Sequence, residues 1–389
     1  MKVLFVVNNF YAKGNGLSAS ARRTVKHLEE RGLEVRVLSG KNPENDDLEP
    51  YYVLDLYKMP VFDKLIKKQG YVFAKSDKKI VKEAIEWADL IHLEEPFALQ
   101  MLVARMAKKM NKPCVATYHL HPENLFASVK LAGSFSLNKA TMLAFKTQVF
   151  DKCVAIQCPT QNVMDRLNRW HFKAKLYLIS NGLPREELKK RKEITEKIKY
   201  SDAKYMVTTI GRHSVEKDLV TLLKAMKYTK HRDEIQLVFA GRGPETEHLK
   251  KYANKLVKKG IIKYEPVFKF CSLDELQQLS ASSDLYIHLA FIEVEGLSCM
   301  EAIQVGLVPI IAEHRYSATS QFALSEMSKF KAKDPKDLAA KIDYWLDDDE
   351  RRIAESKKYK ALKYDYDIET SINDLIDMYK NALIIFNEK

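Results

Sequence analysis

Phe291-Ile292-Glu293-Val294-Glu295-Gly296-Leu297-Ser298-Cys299-Met300-Glu301-Ala302 is the stretch whose reading decides the fold. An apolar run, Leu285 to Ala290 with His288 inside it, leads in and reads as a buried parallel strand. A helix pattern, Met300, Ala302 and Ile303, leads out. Gly296-Leu297-Ser298 forms the turn between them, at the helix start. The first amides of a helix lack intrahelical partners and carry the positive end of its dipole, so this turn suits a phosphate. Glu301 lies about one turn into the helix, where a carboxylate can accept bonds from ribose hydroxyls. Glu293 lies before the turn, on the side of a sugar attached to that phosphate. The segment thus has a group for each part of a nucleotide sugar.

Upstream, Gly211-Arg212-His213-Ser214-Val215-Glu216-Lys217-Asp218 follows the strand pattern Tyr205 to Ile210. Its arginine can hold a phosphate in bidentate fashion and its lysine is a compact point charge. Phe239-Ala240-Gly241-Arg242-Gly243-Pro244 is another strand-to-loop step, and Ser180-Asn181-Gly182 sits near the middle of the chain.

Working outward, short apolar strands alternate with helical patterns. The first set is Val3–Val7, Glu34–Leu38, Leu90–Leu93, Cys114–Tyr118, Val154–Gln157 and Leu176–Ile179. The pattern restarts with Tyr205–Ile210, Gln236–Ala240, Leu285–His288 and Val308–Ala312. Such alternation predicts doubly wound parallel sheets, and the restart predicts two Rossmann-like domains. The boundaries expected are 1–184, 185–367 and a closing helix over 368–389, whose apolar stripe is Ile372, Leu375, Ile376, Tyr379, Leu383 and Phe386. The charged run Arg185–Lys199 reads as a solvated helix or linker.

The Glu293/Glu301 spacing resembles the Glu-x7-Glu signature of retaining glycosyltransferases of the GT-B fold, family 4. In that family a Gly-Arg-x-x-x-Glu-Lys motif precedes it, and its arginine and lysine grip the donor diphosphate. The resemblance gives Arg212 and Lys217 that role and makes Gly211, Gly241, Gly296, Leu297, Ser298 and Glu301 donor-binding residues. The family usually has glycine after the lysine, where this chain has Asp218. Glu295 competes with Glu293, and the eight-residue offset favours Glu293. The resemblance also implies the α/β GT-B architecture, with an interdomain cleft and the last helix crossing back to the first domain.

The first loop reads Asn9-Phe10-Tyr11-Ala12-Lys13-Gly14-Asn15-Gly16-Leu17-Ser18, before a helix expected to begin near Ala19. The resemblance places Gly14 and Gly16 near donor phosphate and acceptor, although the family often has Gly-Gly here. Thr117-Tyr118-His119 ends a strand, where open α/β sheets present ligand-facing residues. The family commonly has a histidine there that contacts the transferred sugar, which singles out His119. His121-Pro122-Glu123-Asn124 follows, and its Pro-Glu-Asn is similar to that of glycolipid-forming members. Glu123 and Asn124 are therefore acceptor-side candidates.

Composition bounds the rest. The chain has 389 residues and a net charge of +12, from 64 basic and 52 acidic side chains, so an anionic partner or a solvated basic surface is expected. No nucleic-acid motif accompanies the charge. Residues 57–82 hold eight lysines against two aspartates, interleaved with Phe62, Leu65, Ile66, Tyr71, Val72 and Phe73, which suits an anionic membrane surface or a solvated face. No apolar run reaches the roughly 18–20 residues of a membrane span, and Met1–Val7 reads as a first buried strand, not a leader. Five cysteines, Cys114, Cys153, Cys158, Cys271 and Cys299, form no Cys-x-x-Cys pair, which points to a reducing cytoplasm. Cys299, inside the decisive stretch, reads as a packing residue. Asp347-Asp348-Asp349 and Asp365-Tyr366-Asp367 read as caps and turns, not as a metal-holding Asp-x-Asp, so no metal or cofactor is expected.

The resemblance thus implies a cytoplasmic enzyme, peripheral on the inner face of the cell membrane. It would move a hexose, with retention, from a nucleoside diphosphate sugar, with uridine the implied base, to a hydroxyl of a membrane lipid. A polysaccharide or cell-wall glycan acceptor, a sugar-nucleotide epimerase or hydrolase, and a non-catalytic partner subunit stay open. A nicotinamide dehydrogenase is disfavoured because the Gly14 loop is not Gly-x-Gly-x-x-Gly.

Overall fold

The computed structural model describes residues 1–12, 16–42, 49–57, 72–127, 129, 131–183, 197–361 and 366–388. Contacts divide the chain into two compact units. The first holds Met1–Pro122, Gly133–Gly182 and Tyr366–Lys389, and the second holds Glu123–Ala132 and Leu183–Asp365.

The strands of the first unit are β1 (Lys2–Val6), β2 (Glu34–Gly40), β3 (Tyr52–Leu54), β4 (Leu56–Tyr57), β5 (Phe73–Ala74), β6 (Leu90–Leu93), β7 (Cys114–Thr117), β8 (Ala155–Cys158) and β9 (Lys175–Leu178). Seven of them form a parallel sheet in the order β3-β2-β1-β6-β7-β8-β9, and β4 pairs with β5 antiparallel. Val3 to Val6 and the whole of β6 are buried, because helices cover both faces of a parallel sheet. The chain runs from β1 out to β3, then returns beside β1 as β6 and runs the other way. The reversal between β1 and β6 is the topological switch point of this sheet.

Helix starts follow local capping chemistry. The Asp77 carboxylate accepts from the amides of Lys79 and Ile80 at 2.8 and 3.1 Å, opening the helix Lys78–Trp87. Asp367 does the same for the final helix, Ile368–Asn387, accepting from the Glu369 amide at 3.2 Å. That helix lays Ile372, Leu375, Met378, Tyr379 and Ala382 against Val3, Leu28, Leu90, Val115 and Ile179. Its apolar face completes the core of the first unit.

The second unit carries β10 (Tyr205–Ile210), β11 (Ile235–Ala240), β12 (Val267–Lys269), β13 (Leu285–His288), β14 (Ile292–Glu293), β15 (Val308–Glu313), β16 (Tyr316–Ser317) and β17 (Lys329–Lys331). Six strands form a parallel sheet in the order β12-β11-β10-β13-β15-β17. The switch point lies between β10 and β13. β14 and β16 pair apart from it, with Ile292 opposite Tyr316 and Glu293 opposite Ser317.

Some sequence expectations need adjustment. Residues 123–132 were expected within the first domain but group with the second unit, because Ala127 packs on Phe291 and Ile292, with Ala132 and Tyr316 against them. The first helix begins at Gly16, not near Ala19, and the Ser18 hydroxyl holds its first turn by donating to the Asn9 carbonyl. Gly16 is thus the first helical residue and not a loop glycine. Gly14, residues 58–71 of the basic segment, residues 185–196 of the charged run, and Asp365 lie outside the described residues. Asp348 caps a helix by accepting from the Arg351 amide at 2.9 Å, and Asp347 pairs with Lys230 and His231 at 2.7 and 2.9 Å. All five cysteines are buried free thiols.

Candidate active site

Two loops leave the carboxyl ends of β10 and β13, on either side of the second unit's switch point. A recess there is lined by Gly211, Arg212, Lys217, His288 and Ala290. Open α/β sheets bind ligands at such a place. The Gly211 amide donates to the Ala240 carbonyl at 2.9 Å, bringing the next loop alongside. Gly241 sits there with φ +145°, and a Cβ on it would lie 1.9 Å from the Gly211 oxygen. Only glycine lets these two loops touch. His213 is buried beneath them, its Nδ1 2.9 Å from the Thr246 hydroxyl, and burial pushes its imidazole down to about 4.

The loop after Arg212 closes in a single 3-10 turn, Val215–Lys217, and Asp218 ends it at φ +45°. Aspartate is among the few residues that tolerate this left-handed region. Its carboxylate accepts from the Thr221 hydroxyl at 2.6 Å, which explains how the chain does without a glycine here. The Phe291 amide donates to the Glu216 carbonyl at 3.1 Å. The Lys217 ammonium consequently reaches Glu293 and donates to its Oε2. Glu293 is held by backbone as well, its carbonyl accepting from the Ala318 amide at 2.9 Å. His288 Nε2 lies 3.6 Å from the same carboxylate oxygen. Burial pushes the Glu293 carboxyl up, but the charges of Lys217 and His288 and the Lys217 hydrogen bond outweigh it, so it lies below its ordinary value. Of the two competing glutamates, Glu293 takes Lys217, while Glu295 is buried.

Gly296 caps the helix Leu297–Gln304 from the left-handed region, at φ +85°, where a Cβ would meet Thr319 Cγ2 at 2.0 Å. Leu297 and Ser298 form the first turn, with their amides at the positive end of the dipole. The Ser298 and Tyr286 hydroxyls are 3.0 Å apart, and the Tyr286 hydroxyl is 3.1 Å from His288 Nδ1. Burial lowers His288 to about 4, and its ring lies between the Tyr286 hydroxyl and the Glu293 carboxylate. Glu301 lies in the same helix and is half-buried. Cys299 is fully buried, and burial raises its thiol, which fits packing and not nucleophilic chemistry.

In the first unit, His119 Nε2 lies 2.9 Å from Glu94 Oε2. Glu94 is 3% exposed. Its burial favours the neutral acid, yet the charge and hydrogen bond of His119 and the hydrogen bond of His92 hold it well below the usual carboxylate range. Sequence reasoning found His119 but missed Glu94 and its neighbour Glu95. The signal was present, because Glu94-Glu95-Pro96 follows β6 directly, where polar residues at the carboxyl end of a buried strand face the switch point. The Glu95 carboxylate accepts from the Asn8 amide at 2.7 Å, joining the ends of β1 and β6. Of the other acceptor-side candidates, Glu123 is buried and Asn124 half-buried, both grouped with the second unit.

Among the described residues, no cluster of His, Cys, Asp or Glu could hold a metal ion, and no helix is long and apolar enough to cross a membrane.

Comparison with known proteins agrees with this geometry. The family profile "Glycosyltransferase Family 4" matches residues 14–187, and "Glycosyl transferases group 1" matches residues 190–362. An alpha-monoglucosyldiacylglycerol synthase of Streptococcus pneumoniae is 23% identical over 321 residues, 80% of this chain and 71% of that protein. A GDP-mannose-dependent alpha-mannosyltransferase of Corynebacterium glutamicum is 26% identical over 80% of this chain and 72% of its own. The crystal structure of Anabaena HepE in complex with UDP and glucose superposes with a TM-score of 0.72 over 98% of this chain and 100% of that one, at 15% identity. Profiles of both halves, matched in order along nearly the whole chain, and two parallel sheets of this topology establish that the chain belongs to the family 4 glycosyltransferases of the GT-B fold.

Proposed function

We propose that this chain transfers a hexose, with retention of configuration, from a UDP-sugar to a hydroxyl of a membrane lipid, without a metal ion. The observation that carries the reading is the Lys217–Glu293 pair at the carboxyl ends of β10 and β13, beside Arg212 and the first turn of the helix Leu297–Gln304. Sugar transfer breaks the bond from the anomeric carbon to the diphosphate, and charge builds on the departing phosphate oxygen. Arg212, Lys217 and the Leu297 and Ser298 amides are fixed donors of the kind that stabilise such charge. Glu293 accepts from hydroxyls of the sugar once Lys217 turns to phosphate, and Glu301 accepts from ribose. The acceptor oxygen attacks the same face of the anomeric carbon, and the departing diphosphate takes its proton. No protein nucleophile is needed.

The lipid acceptor is supported by the synthase of Streptococcus pneumoniae, whose name gives its product as a glycosyldiacylglycerol, and by the net charge of +12, which suits an anionic bilayer. Peripheral attachment at the cytoplasmic face of the membrane, through the basic segment 57–82, belongs to the same proposal. A donor screen tests it. Purified protein is incubated with UDP- and GDP-sugars, with and without anionic vesicles containing diacylglycerol, and released nucleotide and lipid product are measured beside Lys217→Ala. Lipid product from one UDP-sugar, abolished in the variant, is the expected result. Turnover without lipid product would move the acceptor to a soluble glycan or water, and a GDP-sugar preference would overturn the choice of base.

A further inference from the structure

A chain of buried polar groups runs through the first unit from the last helix to His119. Tyr379 Oη lies 2.5 Å from His92 Nδ1, and His92 Nε2 lies 2.7 Å from Thr117 Oγ1 and 3.1 Å from Glu94 Oε1. The other oxygen of Glu94 is 2.9 Å from His119 Nε2. Tyr379, His92 and Thr117 are at most 1% exposed.

The direction of the chain follows from its side branch. Gln157 Nε2 donates to the carbonyls of Ile179 and Ser180 at 3.1 and 3.4 Å, which turns its amide oxygen toward Thr117. The Thr117 hydroxyl donates to that oxygen at 2.8 Å, so toward His92 it can only accept. The His92 proton therefore sits on Nε2, shared between Thr117 and Glu94. Nδ1 is left as an acceptor, and the Tyr379 hydroxyl must donate to it. Burial keeps that phenol neutral by raising it well above its ordinary value. Glu94 thus receives one ring N–H from His92 and one from His119. The other acid facing His119 is Glu95, whose Oε2 is occupied by the Asn8 amide and side chain at 2.7 and 2.9 Å and by Gln100 at 3.1 Å.

We propose that Tyr379, on the C-terminal helix, is a positioning residue for the transfer reaction, acting through His92 and Glu94 on the orientation and proton affinity of His119. The inference deepens the functional reading above and rests on His119 facing substrate. Hydrogen bonds in a chain polarise one another, so removing the Tyr379 hydroxyl from Nδ1 makes the His92 Nε2–H a weaker donor to Glu94, and Glu94 then holds the His119 proton more tightly.

The test compares full-length wild type, Tyr379→Phe and Leu375→Ala, the last a packing control on the same helix. The ring titration of His119 is followed by NMR, assigned with His119→Asn, and kcat, KM and their pH profiles are measured with the donor found in the screen. The expected result for Tyr379→Phe is a rise of roughly half a unit in the His119 titration and a kcat lower by about tenfold. Donor KM stays near its wild-type value, and the pH profile moves with the titration. Leu375→Ala lowers the melting temperature and leaves the titration in place. An unchanged His119 titration in Tyr379→Phe, or an equal shift in Leu375→Ala, overturns the relay. The titration needs no turnover, so it decides the relay even where the donor screen fails.

Discussion

The Phe291 amide donates to the Glu216 carbonyl at 3.1 Å, and through that bond the loop after β10 and the loop after β13 become one piece of backbone. Lys217 follows Glu216 directly and Glu293 lies two residues after Phe291, so their ion pair is set by main chain and not by chance side-chain encounter. Either side chain can therefore be replaced without moving the other.

Lys217→Ala is expected to lower donor turnover by about 100- to 1,000-fold, the usual cost of removing one charge-stabilising donor. It also strands the Glu293 carboxylate, whose side chain is only 19% exposed. Lys217→Ala/Glu293→Gln removes that stranded charge and should be more stable than Lys217→Ala by about 1–3 kcal/mol. Calorimetric melting of the two variants checks this. Identical melting would show that the pair has no electrostatic coupling.

Asp218→Gly should keep donor affinity within about twofold, because glycine adopts φ +45° without strain. The lost Thr221 bond and the burial that raises the Asp218 carboxyl offset one another. Asp218→Val, β-branched at the same φ, should cost about 1–3 kcal/mol and weaken UDP binding. Titration calorimetry with UDP separates the two outcomes.

Gly241→Ala should abolish measurable UDP binding and cost about 3 kcal/mol or more, since its methyl overlaps the Gly211 carbonyl. Gly32 also has positive φ, +79°, but faces open space. Gly32→Ala should cost about 1 kcal/mol and bind UDP like wild type. Equal behaviour of the two variants would refute close contact of the glycine loops.

His213 gives a pH dependence with a definite sign. Its folded value is lowered to about 4 from an ordinary 6.5. Between those values the unfolded chain binds a proton there and the folded chain does not. The stability it contributes is fully present above pH 6.5 and is lost as pH falls toward 4. His213→Asn should flatten the urea-unfolding slope across this window. A slope steeper than wild type, or unaltered, would refute the assignment.

Leu375→Ala should destabilise the protein by about 2–5 kcal/mol, the range for an emptied leucine site in a core. Its side chain is 2% exposed and packs among strands of the first sheet. Urea unfolding followed by tryptophan fluorescence measures the loss. A change below 1 kcal/mol would mean that the helix only rests on the sheet.

The fold was legible because parallel strands buried on both faces leave unbroken apolar runs. Leu90–Leu93, Tyr205–Ile210 and Leu285–His288 match the structure to the residue. The short strands were not legible. β14 and β16 have two residues each, too few for any period to show, and β14 carries Glu293 itself. Arg212, Lys217, Glu293 and the Gly296 turn could be read because they cluster in two short segments. Glu94 had only its place directly after β6 to mark it, because its partners His119 and His92, and the Tyr379 behind His92, are scattered from residue 92 to residue 379. A hydrogen-bonded chain of that kind leaves no spacing to recognise.

The packing of the final helix on Val3 and Leu28 has a consequence for biogenesis. The core of the first unit joins Val3 and Leu28 to residues more than 300 positions later, Ile368 to Ala382. At ordinary ribosomal rates, roughly 20–70 s separate synthesis of Val3 from synthesis of Ile368. Through that interval, while the second unit is still being made, the first lacks the helix that covers its apolar face. The half made first is therefore the half finished last.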